Sequence, residues 1–187
     1  MSAIDHRKRQ QLIQTTEGYL DLAVMFEDRW PLAEVHRKKM ASRAIACLNQ
    51  IRNPQGHRSY LLFLKGQAHR IAARLVQAIR FFEQAIDADP DHIPCLLALA
   101  WCYKRTNQLS KALEVMELAT RQEPDCAIAH YNLACYAAIM KKTNLALVHL
   151  SIALDLNAEY GKLVSAETDF DQIRNLPSFQ EVLSVHA

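Results

Sequence analysis

The side chains that could do chemistry are thinly spread along this chain. Five cysteines and eight histidines occur. Cys95 and Cys102 share one helical face, and Cys126 and His130 stand one helical turn apart. A structural zinc site needs four converging nitrogen or sulfur ligands, and no second pair at finger spacing completes either of these. They read as small packing residues. Asp87, Asp89 and Asp91 alternate around Pro90, but no glycine and closing glutamate follow to make a calcium loop, so a helix-end turn is expected. There is no glycine-rich phosphate loop, no GxSxG and no HExxH. His69 and His130 fall at packing positions and are expected to be buried or half-buried. No catalytic residue, cofactor or metal is expected.

The elements that would position these side chains are helical. The 187 residues are half hydrophobic and 22% charged, with only 4 glycines, a globular composition that favours helix over strand. The formal net charge of +2 is too small to imply nucleic acid. The charge is uneven: residues 1–58 hold 10 Lys/Arg against 6 Asp/Glu, and residues 59–187 hold 12 against 14. The basic runs Arg7-Lys8-Arg9 and Arg37-Lys38-Lys39 read as solvated helix faces. The opening segment has no apolar leader, no stretch is long enough to span a bilayer, and the odd cysteine count lacks a CxxC pair. A soluble, cytoplasmic protein with reduced thiols and no membrane insertion is expected.

A period of 34 residues organises the middle of the chain. Pro90 and Pro124 are 34 apart, and five residues before each stand Ala85 and Ala119. Eight before are Phe82 and Met116, and twelve before are Ala78 and Ala112. The next period supplies Ala158, Ala153, Leu150 and Ala146. Upstream in the same register lie the small residues Gly66, Ala100 and Ala134, each preceded four positions earlier by Leu62, Leu96 or His130. Small residues at such spacing let paired helices approach, Gly66 against Ala78 in the first copy. Asn107 falls where a hairpin turn needs a residue tolerant of the left-handed region.

These columns resemble the tetratricopeptide-repeat (TPR) family, whose pattern W-x2-L-G-x2-Y…A-x3-F…P spans 34 residues. The first copy reads Leu62-x2-Lys65-Gly66-x2-His69…Ala78-x3-Phe82…Pro90, and the second Leu96-x2-Leu99-Ala100-x2-Tyr103…Ala112-x3-Met116…Pro124. The third is His130-x2-Leu133-Ala134-x2-Ala137…Ala146-x3-Leu150, with Ala158 in place of the proline. The resemblance covers residues 59–158 and implies an all-α fold, an α-solenoid of antiparallel helix pairs wound as a right-handed superhelix. The copies span approximately 59–92, 93–126 and 127–160. Residues 1–58 read as an N-terminal helical pair, with Leu12, Tyr19, Ala23 and Phe26 in helical register, a break at Trp30-Pro31, and a turn at Asn53-Pro54-Gln55-Gly56. This pair is either a degenerate repeat or a cap. Residues 159–187 break the period, and Phe170, Ile173, Leu176, Phe179 and Leu183 would close the open edge of the last repeat. One continuous domain is expected.

The resemblance also implies where a partner binds, because first helices of TPR pairs line a concave face. The expected groove holds Tyr60, Phe63, Gln67 and Arg70, then Leu97, Trp101, Lys104 and Arg105, then Tyr131, Asn132 and Cys135. Its aromatics suit binding hot spots. The clamp by which chaperone co-factor TPRs grip a terminal carboxylate is not expected, since its positions carry Phe63, Gln67, Ala98 and Ile128 with only Asn132 retained. The reading is a non-catalytic adaptor that binds a peptide or helix of another protein. A self-assembling scaffold is the alternative, with a possible homo-oligomer, because residues 155–187 carry six acidic against two basic side chains. Nucleic-acid association through the basic runs comes last.

Overall fold

The computed structural model describes residues 3–24, 33–51 and 57–186. The Phe26 position, the Trp30-Pro31 break and the turn at residues 53–56 lie outside them. Among the described residues there are helices and no strand: α1 (Ala3–Val24), α2 (Glu34–Asn49), α3 (Arg58–Ile71), α4 (Leu75–Ala88), α5 (Ile93–Arg105), α6 (Leu109–Gln122), α7 (Ala127–Ile139), α8 (Thr143–Leu156), α9 (Tyr160–Val164) and α10 (Pro177–Val185). A 3-10 turn at Thr168–Phe170 lies between the last two. The chain divides into two compact units, Met1–Cys102 and Tyr103–Ala187.

The 34-residue period is visible in backbone conformation as well as in residue type. Ala73, Asn107 and Lys141, each one repeat apart, all take the left-handed conformation, with φ of 59°, 58° and 59°. Each closes the first helix of a pair so that the second can fold back. At the other end, Asp89, Glu123 and Asn157 are extended (φ −153°, −132° and −155°). Their amides still reach Ala85, Ala119 and Ala153 at 3.0, 3.0 and 2.9 Å. Proline follows the first two and excludes helix from the residue before it. Ala158 follows the third, yet the backbone is the same, so the repeat register sets this turn and proline only reinforces it.

In the first unit, α3 packs on α4, and the hairpin of α1 and α2 packs on α3. Leu20, Ala44, Leu48, Leu61, Leu64 and Ala68 form a common core. Gly66 is required by the side chain opposite. A Cβ there would sit 2.4 Å from two ring atoms of Phe82, which is fully buried. The close approach expected at Ala78 is therefore shared with a bulkier neighbour, and the missing Cβ makes room for a ring.

In the second unit, α7 packs on α6 and α8, with Leu133, Ala134, Ala146, Leu150 and Ala153 fully buried. His130 is buried at 5% exposure and stacks on His149, ring centroids 5.0 Å apart. Its Nε2 lies 3.0 Å from the Pro124 carbonyl, which can only accept, so His130 Nε2–H donates. The Nδ1 of His130 then accepts from His149 Nδ1–H at 2.8 Å. Burial, and next the neighbouring His130, hold His149 below the ordinary 6.5.

Two outcomes follow. Lys141→Gly should stabilise the fold by about 1 kcal/mol, because a lysine in the left-handed region costs roughly 1–2 kcal/mol and glycine does not, less some entropy; denaturant midpoints check this. The His149 proton carries a pH dependence with a definite sign. Above the unfolded value near 6.5 both states are neutral and nothing changes. As pH falls below it, the unfolded chain takes up a proton that the folded chain resists, so stability declines towards the lowered folded value. Thermal melts from about pH 7 to about pH 5 should show that decline in the wild type and a flatter profile in His149→Gln.

Candidate functional site

The first-helix face of the first unit carries a cleft of about 210 Å³ between α1 and α3. Its walls are Glu17, Leu20, Asp21 and Val24 from α1 and Tyr60, Phe63, Leu64, Gln67, Arg70 and Ile71 from α3. Helical spacing produces this set: 60, 63, 64, 67, 70 and 71 form one stripe on α3. The Tyr60 hydroxyl donates to Glu17 Oε1 at 2.5 Å and ties α1 to the rim. Burial and the Glu17 carboxylate push that phenol up to about 12. Phe63 is half-buried, with His92 4.7 Å and Phe82 6.1 Å from its ring centre. Gln67 Oε1 accepts from Arg70 Nε at 2.8 Å, and the Arg70 guanidinium lies over the Trp101 ring at 5.4 Å. Trp101 is 39% exposed, and Leu97 is half-buried. Tyr60, Phe63, Gln67 and Arg70 therefore line one cleft, with Trp101 against Arg70.

The corresponding face of the second unit is occupied by the chain itself, which corrects the expected groove there. Tyr131 and Cys135 are buried, at 6% and 2% exposure. The Tyr131 ring stacks on Tyr160 at 4.7 Å and meets Phe170 edge-on at 5.9 Å. Phe170 packs on Phe179 at 5.5 Å, and both are fully buried. Lys104 donates to Asp169 Oδ2 and lies over the Tyr136 ring at 5.6 Å. Asn132 is half-buried and Arg105 is exposed. Arg174 locks the turn, its Nη1 donating to the Val164 carbonyl at 2.9 Å and its Nη2 to the Glu167 carbonyl at 2.5 Å. The physical reason is area: Phe170, Ile173 and Phe179 have a large apolar surface to bury, and the α7 and α8 faces are where it fits.

The cysteines divide by environment. Burial pushes Cys95 up to about 12 and Cys102 up to about 11, so neither is nucleophilic near neutrality. Cys135 was expected to line a groove; it is instead raised by burial and then by Asp169 and Glu167. Ligand atoms of Cys135, Glu167 and Asp169 lie within 4.8 Å of one another and form the set best placed to hold a metal among the described residues. Lys104 already supplies a positive charge to that set through Asp169. The cluster works as the polar anchor of the tail. Sequence reasoning missed it because Cys135 is 32 and 34 residues from Glu167 and Asp169, and nothing in the repeat pattern marks the tail as a partner of α7.

Paired helices and left-handed hairpin turns at a fixed period define a helical-repeat protein. A model of the tetratricopeptide repeat matches residues 70–134, and that stretch is built of tetratricopeptide repeats. None of the curated proteins matches it. Solved structures with the same fold include MamA, at 16% identity and TM-score 0.59, covering 87% of this chain and 99% of that one. MamA residues 41 to the end from Desulfovibrio magneticus RS-1 match at 16% identity and TM-score 0.59, covering 91% and 94%. YrrB, described as a TPR protein with an unusual peptide-binding site, matches at 18% identity and TM-score 0.61, covering 84% of each chain. At these identities the likeness is one of fold.

The tail's hold on the α7 face is measurable through its thiol. In the native protein, maleimide labelling read by mass spectrometry should modify the partly exposed Cys47 and Cys126 while sparing Cys135. Phe170→Ala removes a fully buried ring, a loss of about 3–5 kcal/mol, and should expose Cys135 to labelling. Equal labelling of Cys135 in both proteins would show that the tail does not shield it.

Proposed function

We propose that this protein is a non-catalytic binding module that holds a peptide or helix of a partner protein on the first-helix face of its first unit, centred on Phe63, Arg70 and Trp101. The observation that carries this reading is the contrast between the two faces. On the second unit the aromatic face is filled by Tyr160 and Phe170, whereas on the first unit a cleft of about 210 Å³ lies beside a tryptophan with 39% of its surface exposed. An exposed tryptophan beside an apolar cleft is a composition typical of binding hot spots. The similarity in fold to YrrB, a TPR protein with a peptide-binding site, supports the same class of ligand.

Head-to-tail self-assembly is the weaker reading. Four of the six acidic side chains that would drive it are engaged within the second unit: Asp169 with Lys104, Glu159 with Lys162, Asp171 with Arg174 and Asp155 with His186. Among the described residues no helix is long and apolar enough to cross a membrane.

Trp101→Ala/Gln67→Ala tests the assignment, because both residues are outside the fully buried core and the variant should keep its circular dichroism. Affinity capture from native lysate, followed by titration of the captured partner, should show a loss of about 2 kcal/mol, roughly thirtyfold in Kd. Unchanged affinity for the double variant would remove the site.

A further inference from the structure

The internal repeat makes one part of the molecule a template for another. In the second unit a short turn of the chain's own tail is seated on the repeat face, and the seat has a definite chemistry. Asp169 accepts from Lys104, and the adjoining Phe170 meets Tyr131 edge-on at 5.9 Å, one helical turn from Cys135. Moving each seat residue back by the 34-residue period gives positions in the first unit: Lys104 becomes Arg70, Tyr131 becomes Leu97 and Cys135 becomes Trp101. The cation keeps its charge, the Tyr131 position stays apolar as Leu97, and the small Cys135 gives way to the bulky Trp101. Each cation also lies over an aromatic ring, Lys104 over Tyr136 at 5.6 Å and Arg70 over Trp101 at 5.4 Å, although the two rings are not at equivalent repeat positions.

We propose that the Arg70–Leu97–Trp101 face binds a partner segment carrying an acidic–aromatic pair, a carboxylate followed directly by an aromatic residue, seated as Asp169 and Phe170 are seated on Lys104 and Tyr131. This rests on the binding role proposed above and names its ligand. Arg70 receives the carboxylate, and arginine suits it better than lysine because its planar fork can bond both oxygens. Leu97 and Trp101 receive the ring. Glu17 and Asp21 line the same cleft as Arg70, so the segment's carboxylate is steered to Arg70 and away from the α1 wall. The occupant is a different protein and not the tail of a second copy. Phe170 is fully buried in its own unit and Asp169 is bonded there, so a folded copy has no such pair to offer.

The test uses a labelled peptide corresponding to residues 165–174 of this chain, titrated against the full-length protein by fluorescence anisotropy. Versions with Asp169→Asn and Phe170→Ala serve as comparisons. The expected result is saturable binding, weakened roughly tenfold or more by either peptide change and by Arg70→Glu in the protein. A peptide with Asp169→Lys should recover binding to Arg70→Glu, which mere misfolding of the variant would not allow. Binding that is indifferent to Arg70→Glu but lost in Lys104→Glu would mean that the peptide displaces the native tail, and would overturn the proposal. A displayed library of random peptides, panned on the wild type and on Trp101→Ala, separates the two levels of the argument. Binders that need Trp101 but lack the acidic–aromatic pair would sink this inference and leave the binding site standing. Absence of any Trp101-dependent binder, with no binding of the tail peptide, would remove both.

Discussion

Helices joined only by side chains have no ladder of hydrogen bonds to hold them, so everything here depends on how closely two helices can approach. Gly66 shows the constraint at its tightest. The space where its Cβ would stand belongs to the ring of Phe82, at 2.4 Å. In the third copy the same column holds Ala134 with Leu150 across the pair, both fully buried. A larger bulky partner is matched by a smaller residue opposite, so the summed volume is nearly constant from copy to copy. Once that distance is set, the left-handed residue at 73, 107 and 141 closes each pair in the same way, although only one of the three is of a type that tolerates the conformation well. Packing energy has overridden local preference at Ala73 and Lys141.

The same geometry leaves first-helix faces that need covering, and the chain answers differently in its two units. In the second, apolar tail residues bury themselves against α7, while the Lys104–Asp169 pair and Arg174 satisfy the polar groups that go under with them. In the first, α1 supplies one wall, Tyr60 ties it to α3 through Glu17, and a cleft remains between them. The contact of buried His130 with half-buried His149 adds a pH-sensitive element to the second unit.

The repeat, the helix pairs and the fold class were legible in the sequence because they rest on local regularities: small residues at crossing points, bulky ones between them, turn formers at a constant spacing. Such patterns survive in one dimension since each repeat contacts chiefly its neighbours. The burial of His130 was legible for the same reason, as a semi-polar residue in a column that must be buried. Tertiary structure alone decided which first-helix residues stay accessible. Tyr131 and Phe63 occupy equivalent columns and look alike in the sequence, yet one is sealed beneath Tyr160 and Phe170 while the other borders a cleft. The pairing of Lys104 with Asp169, of His130 with His149 and of Arg70 with Trp101 was equally out of reach. Those contacts join residues whose separation along the chain follows no period, and only the folded backbone brings them within a few ångströms.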